Sequence, residues 1–329
     1  MRPLVILTGP TAVGKTELSI SLAQKINGEI ISADSMQVYR GMDIGTAKIK
    51  PEEMNGVPHH LIDIINPDEE FNVYKFKELA QKAVNEIHER GRIPIITGGT
   101  GFYIQAVLYD IDFAKEEHDN EIRERLQKTA DEEGPDKLYG MLLDVDYEYA
   151  KTVHANNVKR VIRALEYYYH TGQKFSEHNA IQKQKTSPYN FAYIVLNDDR
   201  KLLYERIDSR VDKMIANGLV DEVKHLMTSG YDKSLVSMQG LGYKEIIDYL
   251  NGITTLEEAV YIIKRDTRHF AKRQLTWFTR EKEVSFVELD KLRQSSEKDL
   301  KQAALNRIMK ILINRNIIEK GDSNEGFQL

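Results

Sequence analysis

Gly9-Pro10-Thr11-Ala12-Val13-Gly14-Lys15-Thr16 matches the pattern G-x-x-x-x-G-K-[ST] at every fixed position, and the residues around it decide the fold. Ahead of it, Leu4-Val5-Ile6-Leu7 is an apolar run that reads as a buried strand. Behind it, Leu18, Leu22 and Ile26 recur four apart, on one face of a helix. A strand that passes through a glycine-bearing turn into a helix N-terminus wraps backbone N–H groups around an anion. Lys15 adds a mobile positive charge, and Thr16 offers a hydroxyl to a Mg²⁺ ion bridging phosphate oxygens. This stretch predicts a polyphosphate site. Which polyphosphate, and what is done to it, it leaves open.

Working outward, strand and helix patterns alternate through residue 112, as in a parallel α/β sheet. Glu29-Ile30-Ile31-Ser32 reads as a second strand, Leu61-Ile62-Asp63-Ile64 as a third, and Ile93-Pro94-Ile95-Ile96-Thr97 as another. Residues 73–90 read as a helix with Phe76, Leu79, Ala83 and Ile87 inward. After Asp112 the chain becomes charged, helical and tyrosine-rich. Asp119 is placed to cap a helix carrying Ile122 and Leu126, and Pro135 suits the first turn of the next. A third helix spans about Asn157 to Tyr169, with Gly172 ending it. A polar stretch from Ser176 to Tyr189 leads back to an apolar strand, Tyr193-Ile194-Val195-Leu196. The expected architecture is therefore an α/β P-loop core, 1–112 with 191–318, interrupted by an all-helical insertion at 113–190. The carboxyl region is helical, with Thr255-Leu256-Glu257-Glu258 as a capping box for a helix reaching Phe278. The polar tail, 319–329, is expected to fray.

Composition narrows the classes. With 329 residues, 41% hydrophobic and 29% charged, the chain suits a globular protein of two domains. It has no cysteine, which excludes disulfides, thiolate zinc sites and a thiol nucleophile. The opening apolar run is four residues long, far short of a signal or membrane span. A cytoplasmic, monomeric protein without membrane contact is the expectation. A net charge of −5 argues against a uniformly basic nucleic-acid coat but leaves room for a local one.

Several other residues attract chemistry. Asp34 follows the second strand, on the sheet edge that the phosphate loop shares. A carboxylate there is a general base, a metal-shell ligand, or a turn-former through an Asx bond; beside a phosphate loop the functional readings come first. Gly98-Gly99-Thr100-Gly101 ends a strand where many P-loop nucleotidases carry an acid. The glycines disfavour a motor-like ATPase and favour close approach of something bulky, the alternative being a plain tight turn. Arg206 and Arg210, four apart on one helix, suit either converging phosphate contacts or a solvated face. Lys264, Arg268 and Lys272 form one basic stripe, and Val158-Lys159-Arg160-Val161-Ile162-Arg163 is a second basic cluster. Two basic helices in an acidic chain suggest a localised polyanion footprint. His59 and His60 are adjacent on an extended segment and point to opposite sides, so they make no metal site.

Taken together, these segments resemble the tRNA isopentenyltransferase family, the bacterial tRNA dimethylallyltransferases. The likeness runs through Gly9–Thr16, Ser32-Ala33-Asp34-Ser35-Met36-Gln37-Val38-Tyr39, Gly41-Met42-Asp43-Ile44-Gly45-Thr46-Ala47-Lys48 and Pro58-His59-His60-Leu61. It continues through Gly98–Tyr103, Asn157–Glu166, Gln239-Gly240-Leu241-Gly242-Tyr243-Lys244, Arg268–Gln274 and Trp277-Phe278. The zinc-finger extension of eukaryotic relatives is missing, which fits the bacterial type.

The resemblance implies transfer of a dimethylallyl group from dimethylallyl diphosphate to N6 of the adenine 3′-adjacent to the anticodon of tRNA. The phosphate loop then holds a leaving group: Gly9 to Thr16 cradle the diphosphate, and Lys15, Arg210 and a Mg²⁺ ion on Thr16 neutralise its charge. Asp34 resembles the base that accepts the N6 proton, with Thr100 as the hydroxyl beside it. The adenine must be flipped out of its stack to be reached. The family likeness places tRNA contacts at Asp34, Ser35, Met36 and Gln37, at Thr100 and Arg123, at Val158, Lys159, Arg160, Val161 and Ile162, and at Gln239, Gly240, Leu241, Gly242, Tyr243 and Lys244. The competing readings are a P-loop kinase of a small molecule or nucleotide, with Arg206 and Arg210 as lid, and a nucleic-acid-binding NTPase switch.

Overall fold

The computed structural model describes residues 1–113, 120–294 and 299–319. Asp119, expected as a helix cap, and the tail beyond Glu319 lie outside them. The chain forms two compact units, Met1–Leu108 with Ser187–Leu329, and Tyr109–Thr186.

The first unit begins with β1 (Arg2–Thr8), α1 (Lys15–Lys25), β2 (Gly28–Ala33), β3 (His59–His60), α2 (Val73–Glu89), β4 (Ile93–Gly98) and α3 (Gly101–Leu108). The second unit supplies α4 (Asn120–Glu133), α5 (Pro135–Val145), α6 (Tyr147–Ala150), α7 (Val158–Thr171) and α8 (Phe175–Gln184). The chain then re-enters the first unit as β5 (Tyr189–Asn197), α9 (Arg200–Ala216), α10 (Leu219–Thr228), α11 (Tyr243–Leu250) and α12 (Leu256–Phe278). It closes with β6 (Val284–Glu288), α13 (Leu289–Gln294) and α14 (Leu300–Asn314).

All six strands form one sheet in the order β3-β2-β4-β1-β5-β6, and every pairing is parallel. Leu4 to Leu7 are fully buried because β1 lies inside the sheet, covered on both faces, which is why its sequence is a continuous apolar run. Val5 and Leu7 pack with Leu18 and Leu22 of α1 and with Leu305 and Ile308 of α14. The second unit has its own core, built from Leu126, Leu138, Leu142, Val161, Ile162 and Leu165.

Some local expectations shift. The third strand is the His59–His60 pair, two residues before Leu61-Ile62-Asp63-Ile64. Leu61 (φ 63°) and Asp63 (φ 55°) are left-handed, so this apolar run turns and plugs the core instead of extending. On α2, Ala80 is buried where Leu79 is only half-buried. The polar stretch after Ser176 contains α8, a helix with no buried residue and hence no periodic signal. Its Phe175 is held by edge contacts to Tyr149 and Tyr167, with ring centroids 4.9 and 5.3 Å away.

The two histidines split as their alternation requires. His59 Nδ1 bonds the Val57 carbonyl at 2.8 Å, while His60 Nε2 bonds Glu29 at 2.7 Å. Glu29 is buried at the start of β2, also clamped by Arg90 and Arg92. Burial pushes its carboxyl up, but hydrogen bonds from Arg90 and His60 more than offset that and hold it at about 2. This is a structural ion cluster, and among the described residues no group of His, Cys, Asp or Glu side chains has metal-binding geometry.

Candidate active site

Strand register makes the site. Thr8 is level with Gly98 on one side and Val195 on the other, and Gly98 is level with Ala33. The loops that follow β1, β2 and β4 therefore leave the sheet at one height, on its carboxyl edge, where open α/β sheets bind ligands. Two bonds lock that edge: Thr8 Oγ1 donates to the Gly98 carbonyl at 2.6 Å, and Thr100 N donates to the Ala33 carbonyl at 3.2 Å. The second bond sets Thr100 beside Asp34.

Residues 9–16 have the backbone of an anion cradle. Gly14 is left-handed (φ 100°) at the start of α1 and brings no side-chain cap, so the first-turn N–H groups lack an internal acceptor. Gly9 tolerates no side chain, since a Cβ there would stand 2.5 Å from the Leu196 carbonyl. Val13 is buried, so it anchors the loop through its side chain and leaves ligand contact to the backbone. Lys15 folds back, donating to the carbonyls of Gly9 at 3.0 Å and Pro10 at 2.8 Å. Burial, reinforced by the nearby Arg210 charge and partly offset by Asp34, pulls its ammonium down to about 7. A buried pair of mutually repelling cations of this kind is relieved by a polyanion.

The two candidate arginines separate. Arg206 forms an ion pair with the buried Asp198 at 2.8 Å, which Arg293 also holds, so it is structural. Arg210, one turn later, lies near Lys15 and Asp34. Burial lowers its pKa and Asp34 raises it. Asp34 itself takes up the turn-forming role that the sequence left open. Its Oδ1 accepts from Met36 N at 2.9 Å and Gln37 N at 3.4 Å, closing an Asx turn, while Oδ2 accepts no bond from the described residues. One oxygen shapes the loop and the other is free for a substrate proton.

The Gly-Gly-Thr-Gly turn shows what approaches it: the chain's own α12. A Cβ on Gly99 would stand 2.0 Å from Gln274 Nε2, and one on Gly101 would stand 2.3 Å from the Trp277 ring. Gln274 is almost wholly buried and bridges two loops. Its Oε1 accepts from Thr11 N at 2.9 Å, and its Nε2 donates to the Gly99 carbonyl at 3.0 Å. The phosphate loop and the Thr100 turn are thus spaced by one carboxamide. Gln274 has no local signal in the sequence, because a glutamine on a basic helix reads as part of a solvated face.

The segments expected at tRNA divide likewise. Met36 packs on Gly240, where a Cβ would meet its methyl at 2.5 Å, so residues 34–37 and 239–244 form one surface. Within it Gln239 is exposed, Leu241 and Lys244 are half-buried, and Gly242 and Tyr243 are buried. Tyr243 donates its hydroxyl to Glu222 at 2.7 Å, which removes its side chain from any RNA contact. Val161 and Ile162 are core residues of the helical unit, and Val158 is half-buried, so contact from α7 falls to the exposed Lys159 and Arg160. Arg123 pairs with Glu166 at 2.9 Å. The stripe on α12 is corrected: Lys264 pairs with Asp212 at 2.6 Å and Arg268 with Asp208 at 2.5 Å, both on α9, and Lys272 alone is exposed.

Fold and site together define a P-loop α/β protein with a second, helical unit. The family model for IPP transferase matches residues 37–281. A tRNA dimethylallyltransferase of Lachnoclostridium phytofermentans is 59% identical over 97% of this chain and 100% of its own length. One from Carboxydothermus hydrogenoformans is 50% identical over 93% and 99%. The crystal structure of a tRNA isopentenylpyrophosphate transferase from Bacillus halodurans superposes with a TM-score of 0.71 at 44% identity, covering 96% of this chain and 98% of that one. A eukaryotic dimethylallyltransferase acting on tRNA gives a TM-score of 0.83 at 31% identity, over 97% and 82%. The chain belongs to the IPP transferase family and is a prenyl-transferring enzyme.

Proposed function

We propose that the protein transfers a dimethylallyl group from dimethylallyl diphosphate to N6 of the adenine 3′-adjacent to the anticodon in tRNA. The observation that carries this reading is the pairing, at one sheet edge, of a cationic phosphate cradle with a carboxylate oxygen left unbonded. The bond from the allylic carbon to the diphosphate oxygen breaks, and a carbon–nitrogen bond to N6 forms. The residues of the loop and the guanidinium of Arg210 take up the charge on the departing diphosphate. Asp34 Oδ2 accepts the N6 proton, and Thr100 is held beside it by the bond to Ala33.

A Mg²⁺ ion fits the donor set. Thr16 is an exposed residue at the first turn of α1, and its hydroxyl would hold the ion together with substrate phosphates. When bound, the ion supplies Lewis-acid neutralisation of the phosphate oxygens. The surface of Asp34, Ser35, Met36, Gln37 and 239–244 is assigned to the anticodon loop. Lys159, Arg160 and Arg123 of the helical unit are assigned to the stem-loop phosphates. Among the described residues no helix is long and apolar enough to cross a membrane. A cysteine-free, monomeric, cytoplasmic enzyme is part of the same proposal.

Incubation with unmodified tRNA, Mg²⁺ and dimethylallyl diphosphate, followed by nucleoside mass analysis, tests it. Prenylated adenosine with release of diphosphate is the expected product. ATP turnover without adduct would instead favour a kinase or an NTPase switch.

A further inference from the structure

Residues 41–48 form a loop that meets the site at Thr46, and a remote carboxylate holds its middle. Glu222 of α10 reaches it with both oxygens. Oε2 accepts from Asp43 N at 3.0 Å and Ile44 N at 2.7 Å, and Oε1 accepts from Gly45 N at 3.1 Å and from the Tyr243 hydroxyl at 2.7 Å. Three successive amides converging on one anion make a nest. Gly45 is required there, because a Cβ would stand 2.5 Å from the Tyr243 ring. The next carbonyl, Thr46 O, faces the site and accepts from two side chains: Gln37 Nε2 at 3.3 Å and Arg210 Nη2 at 3.4 Å. Both contacts are long, so neither side chain fixes the carbonyl. The peptide that carries it is set by the turn in which Ala47 N donates to the Ile44 carbonyl at 3.0 Å, and that turn hangs from the Glu222 nest at residues 43–45. Gln37 has its other end on Ser32 Oγ at 3.2 Å.

We propose that Glu222 is a positioning residue of the transfer reaction. Its carboxylate holds the turn that carries the Thr46 carbonyl, and through that carbonyl it orients the Arg210 guanidinium toward the diphosphate. The proposal rests on the reading of Arg210 as a diphosphate ligand. Removing the anion leaves three clustered amide donors competing for a weaker acceptor, and the loop relaxes away from them. Arg210 then loses the Thr46 carbonyl that points it. Asp34 is untouched and Arg210 meets the diphosphate both bound and departing, so the defect falls on diphosphate affinity and on kcat/KM for dimethylallyl diphosphate.

The test measures pyrophosphate binding, in the presence of Mg²⁺, by calorimetry for wild type, Glu222→Gln, Tyr243→Phe, Arg210→Ala and the double variants with Arg210→Ala. Glu222→Gln is expected to weaken pyrophosphate about tenfold and Tyr243→Phe about two- to threefold, by loss of charge-assisted and neutral hydrogen bonds respectively. Neither is expected to add a further loss once Arg210 is alanine, because both act through it. Wild-type affinity in Glu222→Gln, or an equal loss with and without Arg210, overturns the proposal. If Glu222→Gln does not fold, Tyr243→Phe decides alone by the same two criteria. Should Arg210→Ala bind pyrophosphate normally, the reading of Arg210 itself fails; an affected Arg210→Ala beside an unaffected Glu222→Gln sinks only the positioning role.

Discussion

The phosphate loop at 9–16 and the loop at 41–48 sit on the same sheet edge and are built on opposite principles. The first carries its geometry in its own residues: glycines at the close approaches, a buried Val13 as anchor, and a lysine folded onto its own carbonyls. The second takes its middle from outside, where Glu222 of α10 holds residues 43–45, while its own Lys48 ties its end to Tyr39, Asp43 and Asp63. A self-contained loop can be read from eight letters. A loop held by a carboxylate some 180 positions away in the chain cannot, because nothing local distinguishes that glutamate from others on a solvated helix.

Asp34 belongs to both regimes, and the largest expected effect separates its two oxygens. Asp34→Asn keeps an acceptor for the Met36 and Gln37 amides, so the Asx turn stays closed, but it removes the base. Single-turnover transfer is expected to fall by about 10²–10⁴-fold with tRNA affinity retained. A loss below tenfold would remove Asp34 from the chemistry.

Lys15 tests whether the phosphate loop is as self-contained as it looks. Lys15→Met is expected to weaken pyrophosphate by about 10²-fold, with pyrophosphate competing against dimethylallyl diphosphate in the wild type. The titration has a sign. With the folded pKa near 7 and the unfolded value at the ordinary 10.5, the unfolded chain binds more protons between those limits, so the unliganded protein gains stability as pH rises through that window. Bound diphosphate favours the ammonium, so binding takes up a proton and affinity falls as pH rises above about 7. Thermal melts and calorimetry in buffers of different ionisation enthalpy read both slopes, and Lys15→Met should flatten them.

Gln274 joins the self-contained loop to its neighbour, and its effect is intermediate. Gln274→Leu leaves the Thr11 amide and the Gly99 carbonyl unpaired, at a cost of about 1–3 kcal/mol for each that stays buried. Transfer is expected to drop about tenfold, mostly in kcat, as Thr100 and the phosphate loop lose their spacing. Gly99→Ala should reproduce the defect in the wild type and be nearly silent in Gln274→Ala, where the obstructing amide is gone. Additive losses would mean that the bridge is incidental.

What was legible follows the same division. The parallel core is readable because β1, β2 and β4 are apolar runs and α2 and α12 carry amphipathic periodicity and side-chain N-caps. The third strand was misplaced because Leu61 and Ile62 look extended yet serve a turn, and α8 was missed because it buries nothing. In the site, Lys15 and Asp34 were found by motif and by position after a strand. The residues alone left Arg206 and Arg210 open and only the family resemblance points to Arg210; the structure separates them through Asp198, which pairs with Arg206 once β5 and α9 have met. Tyr243, Val161 and Ile162 lay inside segments that resemble RNA-contacting ones, and a segment does not say which of its side chains turns inward.

The basic stripe on α12 gives the smallest effect and the plainest test of that last point. By spacing alone, Lys264, Arg268 and Lys272 are three equivalent phosphate contacts, and neutralising them would flatten the salt dependence of tRNA binding by roughly two to three units of log–log slope. The structure gives two of the three to Asp212 and Asp208 of α9, so they are already neutralised inside the protein. Lys272→Ala alone is therefore expected to reduce the slope by somewhat under one unit, and Lys264→Met with Arg268→Met to leave it unchanged. That double variant strands two carboxylates on α9 and should lower the melting temperature, an effect Lys272→Ala lacks. Binding titrations across salt, run beside thermal melts, distinguish the outcomes. A slope that falls by a full unit for each of the three residues would mean that the α9 pairs open when RNA arrives, and that this helix face, like the loop at 41–48, takes its working shape from something outside itself.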